Sequence, residues 1–256
     1  MIRIGTSGFS YKDWIGPVYP EGLAERDQLG FYAREFSTVE LNVTYYRVPG
    51  PWTVEGWVRK TPDDFLFSVK AYQGLTHERE QPDFGGFVAA LRPLVEAGRL
   101  GCVLAQFPNS FRASAENLDY LKRLREGFGE LPVVVELRNA AWVSQTTYGM
   151  LRELGLGFCC VDEPRLPGLM PPVAVVTGPV AYVRFHGRNA AKWYNHKEAW
   201  ERYDYTYPAE ELREWTPRLR QLDASAPLTL VYFNNHFQGQ AVRGARDLQQ
   251  LLLGIE

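Results

Sequence analysis

The chain has 256 residues, with 28 basic side chains against 30 acidic ones and a formal net charge of −2. That balance gives no global attraction to nucleic acid or to an anionic membrane, although it leaves room for a local basic patch. The length can bury a substantial core, and no apolar run reaches the length of a membrane span. Cys102, Cys159 and Cys160 have neither C-x-x-C nor zinc spacing, so they read as small buried hydrophobes in a reducing compartment. The opening Met1-Ile2-Arg3-Ile4-Gly5 enters a strand pattern at once, which predicts no secretory segment and a cytoplasmic protein.

In chain order, apolar runs suited to buried strands fall at residues 3–6, 38–41, 65–69, 102–107, 133–137, 157–161, 181–185 and 229–233. Helical stripes lie between them: Leu29, Tyr32, Ala33 and Phe36; Leu118, Leu121, Leu124 and Phe128; Ala241, Ala245, Leu248 and Leu252. Gly98 and Gly155 follow helical segments where a left-handed cap would fall. Strands alternating with helices predict a parallel sheet with right-handed crossovers, and eight of them match a TIM (β/α)₈ barrel. A doubly wound open sheet is weakened because no G-x-G-x-x-G follows the first strand. No linker or composition shift divides the chain, so residues 1–256 read as one barrel domain.

Irregularities are expected at two places. Pro93 and Pro217 lie within helical patterns and should kink or shorten them. After Val161 the run Asp162-Glu163-Pro164-Arg165-Leu166-Pro167, followed by Pro171-Pro172, predicts an irregular or missing sixth helix.

Side chains alternate between the two faces of a strand, so polar residues of one parity mark a special face. The polar parity carries Glu40 and Asn42 in the second strand, Ser68 and Lys70 in the third, and Gln106 in the fourth. It carries Glu136 and Arg138 in the fifth, Asp162 in the sixth, Arg184 and His186 in the seventh, and Tyr232, Asn234 and His236 in the eighth. Helices cover the outside of a barrel, so this parity is expected to face the axis, with its groups clustered at the carboxyl ends of the strands. Charges buried there must be paired, and a purely structural ion network of Glu40, Glu136 and Arg184 is the plain alternative to a ligand site. His77 and His196 sit in polar loops and read as surface groups. Aromatic residues crowd the loops after the first, second and seventh strands, among them Tyr11, Trp14, Tyr19, Tyr45, Trp52, Trp193 and Trp200. Interleaved with Arg188, Lys192 and Lys197, they would either stack bases or sugars or simply seal the barrel mouth.

Six ordered motifs resemble the YecE-like family, known as domain of unknown function 72. They are Ile4-Gly5-Thr6-Ser7-Gly8-Phe9-Ser10-Tyr11-Lys12-Asp13-Trp14, Thr38-Val39-Glu40-Leu41-Asn42-Val43-Thr44-Tyr45-Tyr46-Arg47 and Phe65-Leu66-Phe67-Ser68-Val69-Lys70. Val135-Glu136-Leu137-Arg138, Val183-Arg184-Phe185-His186-Gly187-Arg188 and Tyr232-Phe233-Asn234-Asn235-His236 complete the set. The resemblance spans essentially the whole chain and implies a TIM barrel. It implies no particular reaction. Pro208 and Pro217 depart from the family pattern and put the length of the seventh helix in question.

Three functions fit these residues. The first is an enzyme acting on an anionic or phosphate-containing substrate, such as a phosphoester or nucleic-acid hydrolase. In that reading Glu40, Glu136 and His186 are catalytic, and Lys70, Arg138, Arg184, Arg188, Asn234, His236 and Tyr45 bind the substrate. A divalent metal would fall to Glu136, Asp162, His186 and His236, but Arg184 beside His186 and the lack of a compact ligand motif argue against one. The second is a carbohydrate-active enzyme using Glu40 and Glu136 as a carboxylate pair. The third is a non-catalytic protein binding nucleic acid or an anionic metabolite.

Overall fold

Every strand pairs only in parallel with its neighbours, as near-continuous apolar runs covered on both faces require. The computed structural model describes residues 1–254. Its strands are β1 (Ile2–Thr6), β2 (Thr38–Leu41), β3 (Leu66–Lys70), β4 (Leu100–Gln106), β5 (Val133–Glu136), β6 (Leu156–Asp162), β7 (Val180–Phe185) and β8 (Leu228–Phe233). They form one eight-stranded sheet in the order β1-β8-β7-β6-β5-β4-β3-β2. Its ends meet where Ser7 bridges to Glu40 and the Gly8 amide donates to the Glu40 carbonyl at 2.7 Å. The result is a TIM (β/α)₈ barrel.

The seam between β1 and β2 is closed by a side chain. The Thr6 amide donates to the Tyr32 hydroxyl (2.9 Å), which donates to the Thr38 carbonyl (3.1 Å), so a phenol stands where a ladder bond would run. Gly5 makes this approach possible, because a Cβ there would lie 2.2 Å from the Thr38 carbonyl oxygen. Gly5→Ala is therefore expected to destabilise the protein by about 1–3 kcal/mol through overpacking against backbone that cannot rotate away. Urea unfolding checks this, and a variant as stable as the parent contradicts the seam geometry.

The helices are α1 (Glu25–Tyr32), α2 (Val43–Tyr46), α3 (Pro51–Arg59), α4 (Phe84–Ala90), α5 (Arg92–Glu96), α6 (Ala115–Phe128), α7 (Gln145–Glu153), α8 (Ala209–Ser225) and α9 (Gln240–Leu253). The expected stripes face inward: α6 buries Leu121, Leu124 and Phe128, and α9 buries Ala241, Ala245 and Leu248. Gly98 and Gly155 sit just past α5 and α7 at φ 66° and 65°.

The two prolines behave differently. Pro93 lies in the first turn of α5, where its missing amide proton costs little, and it separates α5 from α4. Pro217 lies inside α8, yet the helix runs for 17 residues, so the expected shortening does not occur. Leu212, Trp215, Leu219 and Leu222 are buried on both sides of the proline. At roughly 1.5–3 kcal/mol for each large apolar side chain, that burial outweighs the roughly 3 kcal/mol proline penalty.

The sixth helix is absent. Residues 163–179 form a strap of turns and extended chain in which Val173, Ala174, Val175 and Val176 pack against the core in its place. All three cysteines are free and buried, and the Val175 amide donates to the Cys160 sulfur at 3.4 Å. Among the described residues no helix is long and apolar enough to cross a membrane.

Candidate functional site

The polar parity does point inward on most strands. Partners in a parallel ladder share a face, and Gln106 is opposite Glu136 while Lys70 is opposite Leu104. On β7, Tyr182, Arg184 and His186 share the inner face, and Phe185 turns its ring outward against Trp215 of α8.

At the centre is Arg184, essentially without solvent exposure. Its Nη1 donates to Glu136 Oε2 (2.6 Å), and its Nη2 donates to Glu40 Oε1 (2.8 Å) and to Asn234 Oδ1 (3.3 Å). The last bond fixes the orientation of the Asn234 amide, whose Nδ2 then donates to His186 Nδ1 at 3.1 Å. With Nδ1 accepting, the proton of a neutral His186 sits on Nε2 and is donated to Glu136 Oε1 at 3.1 Å. Arg138 Nε donates to the same oxygen at 2.8 Å. Glu40 is completed by the Tyr182 hydroxyl, which donates to Oε2 at 2.6 Å. Arg184, Asn234, His186 and Glu136 thus form a closed ring of hydrogen bonds in which each member sets the next.

This ring decides the protonation states. Burial alone would raise the Glu136 carboxyl, but Arg138, Arg184 and His186 together hold it well below the usual carboxylate range. Burial, followed by the Arg138 charge, lowers His186 to about 4. His186 is therefore a neutral imidazole with both nitrogens engaged, and it positions Glu136.

Above the ring lies a pocket of about 560 Å³. Lys70, Gln106, Arg138, Arg184, Asn234 and His236 line its polar side, and Tyr11, Tyr46, Trp57 and Tyr203 form much of its wall. Lys70 is well positioned: the Thr44 hydroxyl donates to its carbonyl at 2.6 Å, and its Nζ lies 4.3 Å from the centroid of the neighbouring Tyr45 ring. Among the described residues neither Lys70 Nζ nor the two terminal nitrogens of Arg138 has an acceptor on the protein. Burial and then the Arg184 charge lower the Lys70 amine to about 7, while the Tyr45 face favours its charged form. His236 stacks on Tyr11 (4.3 Å between ring centres, 2° between planes) and lines the pocket; among the described residues its buried Nδ1 has no hydrogen-bond partner. Nor, among the described residues, has the buried Oδ1 of Asn42, another pocket residue.

Asp162 and Arg188 are not in this pocket, which corrects the sequence expectation. Asp162 is opposite Phe185 in the β6–β7 ladder and so faces outward, accepting from the Tyr207 hydroxyl (2.8 Å) and from Trp215 Nε1 (2.7 Å). Gly187, at φ 86°, breaks the strand alternation that would have carried Arg188 to the axis. Arg188 instead clamps Asp162 through Nε (2.9 Å) and Nη2 (2.7 Å), and reaches Glu214 at 3.0 Å. The candidate metal set is therefore split between the inner and outer faces. Among the described residues no group of three or more His, Cys, Asp or Glu side chains is placed to hold a metal ion.

The loop aromatics divide in the same way. Trp14 and Tyr19 are fully buried and seal the mouth, whereas Tyr46 and Trp52 are largely exposed. The proposed basic surface is neutralised in part, since Lys192 pairs with Glu201 at 2.6 Å and Arg188 with Asp162.

A family profile described as Protein of unknown function DUF72 matches residues 3–255. The chain belongs to the DUF72 family. It is 33% identical to the UPF0759 protein YunF of Bacillus subtilis (strain 168), a match covering 98% of this chain and 95% of that protein. A shorter match of 33% identity links it to the UPF0759 protein YecE of Escherichia coli (strain K12), over 43% of this chain and 39% of YecE. Among solved structures, a DUF72 family protein from Thermotoga maritima MSB8 superposes with a TM-score of 0.91 at 41% identity, over 99% of both chains. A second, from Enterococcus faecalis V583, gives 0.88 at 30% identity over 99% of this chain and 96% of that one.

In this DUF72 chain Glu40, Glu136, Arg138, Arg184, His186 and Asn234 lie in one axial network, and Lys70 and His236 line the pocket above it. Tyr45, expected to bind the substrate, is not among the residues that line the pocket; its ring lies behind Lys70 instead. Tyr182, the second partner of Glu40, was not among the expected site residues, although it shares the parity of Arg184 and His186.

Proposed function

We propose that the pocket at the carboxyl ends of the strands binds a small molecule carrying an anionic group, and that the protein acts on that molecule as an enzyme. One observation carries this reading: Lys70 and the outer edge of Arg138 face the pocket without a protein acceptor. The two axial carboxylates are engaged by Arg184, Arg138, His186 and Tyr182, and among the described residues neither forms an ion pair with Lys70. A phosphate or carboxylate would receive charge-assisted hydrogen bonds from the free guanidinium edge and the amine.

A phosphoester substrate suits these cations. For hydrolysis the half-titrated Lys70 amine is a better proton acceptor near neutral pH than His186, whose nitrogens are both occupied. A glycosidase pair is disfavoured, because Glu40 and Glu136 are fully buried and share Arg184, whereas a general acid needs a carboxyl kept protonated.

The test is thermal unfolding in phosphate, in sulfate and in sodium chloride of matched ionic strength. Phosphate at ten or more times its Kd is expected to raise the melting temperature by a few degrees, beyond the chloride control. Lys70→Met should weaken the effect by about tenfold in concentration, the loss of one charge-assisted bond. An unmoved melting curve in the parent, or equal shifts in parent and variant, overturns the reading.

A further inference from the structure

We infer that Lys70 is the nucleophile of the site and forms an imine with a substrate that carries an aldehyde or ketone as well as its anionic group. The inference rests on the anion-binding reading above and adds a substrate class and a covalent step to it.

The geometry has three parts. Lys70 projects from the carboxyl end of β3 into the pocket, so a ligand held there reaches its Nζ. Among the described residues no carboxylate pairs with that amine, whereas Arg138 pairs with Glu136 and Arg184 with both Glu40 and Glu136. Its backbone is pinned by Thr44 and its amine is backed by the Tyr45 ring, which leaves the pocket side open for attack. A buried lysine beside other cations loses its proton more easily than one in water, an effect that the Tyr45 face opposes in part, and the neutral amine is the nucleophilic form. The charged and titratable groups facing it are Glu40 on β2, Glu136 on β5, Arg138 just beyond β5 and Arg184 on β7. Tyr45 on α2 and His77 after β3 adjoin it, Glu25 on α1 and Tyr11, Tyr46, Tyr203 and His236 line the same pocket, and burial lowers His77 to about 4. The two arginines oppose the ammonium form and the two glutamates favour it, but the glutamates are already tied to the arginines.

The step balances without an oxidant or reductant. The Nζ lone pair forms a bond to the carbonyl carbon as the C=O π pair moves to oxygen, and one amine proton passes to that oxygen. The resulting carbinolamine expels its hydroxyl with the second amine proton as water, leaving a C=N bond. Protonation of that nitrogen from solvent gives an iminium that withdraws electrons from the adjacent carbon. Arg138 would hold the anionic group while this occurs.

The probe is glyoxylate, an aldehyde bearing a carboxylate, with cyanoborohydride added to reduce any imine to a stable secondary amine. The folded protein is labelled at pH 7 and mapped by peptide mass spectrometry. Lys12, Lys60, Lys122, Lys192 and Lys197 serve as internal controls. Lys70 is expected to label at least about tenfold faster than any of them, because far more of its amine is neutral at that pH than for an ordinary lysine. Phosphate should slow its labelling, and Lys70→Arg, which keeps the charge, should abolish the label there while retaining stabilisation by phosphate. Labelling of Lys70 no faster than the surface lysines overturns the inference, and if phosphate still raises the melting temperature the anion site stands without it. Fast labelling of Lys70 that phosphate does not slow, with no thermal shift, upholds the nucleophile and overturns the anion-binding reading instead.

Discussion

Replacing Arg184 with methionine is expected to destabilise the protein by about 3–5 kcal/mol, the cost of leaving buried charges without their partner. Among the described residues Arg184 is the one side chain that touches both axial carboxylates, at 2.6 Å and 2.8 Å, and both carboxylates are fully buried. Methionine fills a similar length with no donor. Glu136 would retain Arg138 and His186, but Glu40 would keep only the Tyr182 hydroxyl. The loss should therefore concentrate on Glu40, and the double variant Arg184→Met with Glu40→Gln should recover part of it. Asn234 also loses the bond that orients its amide, so the His186 contact should loosen as well. Urea unfolding followed by tryptophan fluorescence and far-ultraviolet circular dichroism measures both variants. A loss below about 1 kcal/mol, the scale of an exposed pair, would mean that the network is hydrated and does not govern the barrel interior.

The second large effect is a dependence of stability on acid that traces to His186. Its folded pKa is lowered to about 4 by burial and then by Arg138, whereas an unfolded histidine titrates near 6.5. Between those values the unfolded chain binds a proton that the native state refuses, so stability falls as pH drops through that window. The contribution is fully present above the unfolded value and approaches roughly 3 kcal/mol at its limit. His77, lowered to about 4 mainly by burial, acts in the same direction. Glu163 opposes both: burial raises it to about 7, so the native state gains a proton, and stability, as pH falls toward the ordinary carboxylate range. His186→Gln keeps an amide donor for Glu136 and removes the titration. Its unfolding free energy should decline less than the parent's between pH 7 and pH 4.5. Parallel acid limbs in the two proteins would show that His186 is protonated in the native state.

The barrel was legible in the sequence because eight strand-length segments rich in apolar residues recur between polar or glycine-marked breaks, most of them followed by a helical stripe. The missing sixth helix was legible from Pro164, Pro167, Pro171 and Pro172, since a helix interior tolerates none of them well. The axial cluster was legible wherever a strand alternates polar with apolar residues, as Glu40, Glu136 and Arg184 do. It failed on β6, where Phe158, Cys159, Cys160 and Val161 are apolar on both faces and nothing marks the inner one. Asp162 was therefore assigned to the axis, although its register with Phe185 places it under Trp215 and Tyr207. Arg188 was misplaced for a different reason, because a single left-handed glycine reverses the alternation and only backbone geometry reveals that Gly187 adopts it. The pairing pattern that leaves Lys70 free was also beyond the sequence, since it depends on which cation reaches which carboxylate in three dimensions.

Among the described residues Lys70 stands in the pocket without an ion-pair partner. Selectively carbon-labelled lysine gives a side-chain resonance for each lysine, and its shift with pH reports each amine directly. Lys70, identified by its absence in Lys70→Arg, is expected to titrate near 7, and to titrate at higher pH when phosphate is bound. A Lys70 resonance that keeps the ordinary lysine value of about 10.4, unmoved by phosphate, would contradict this assignment.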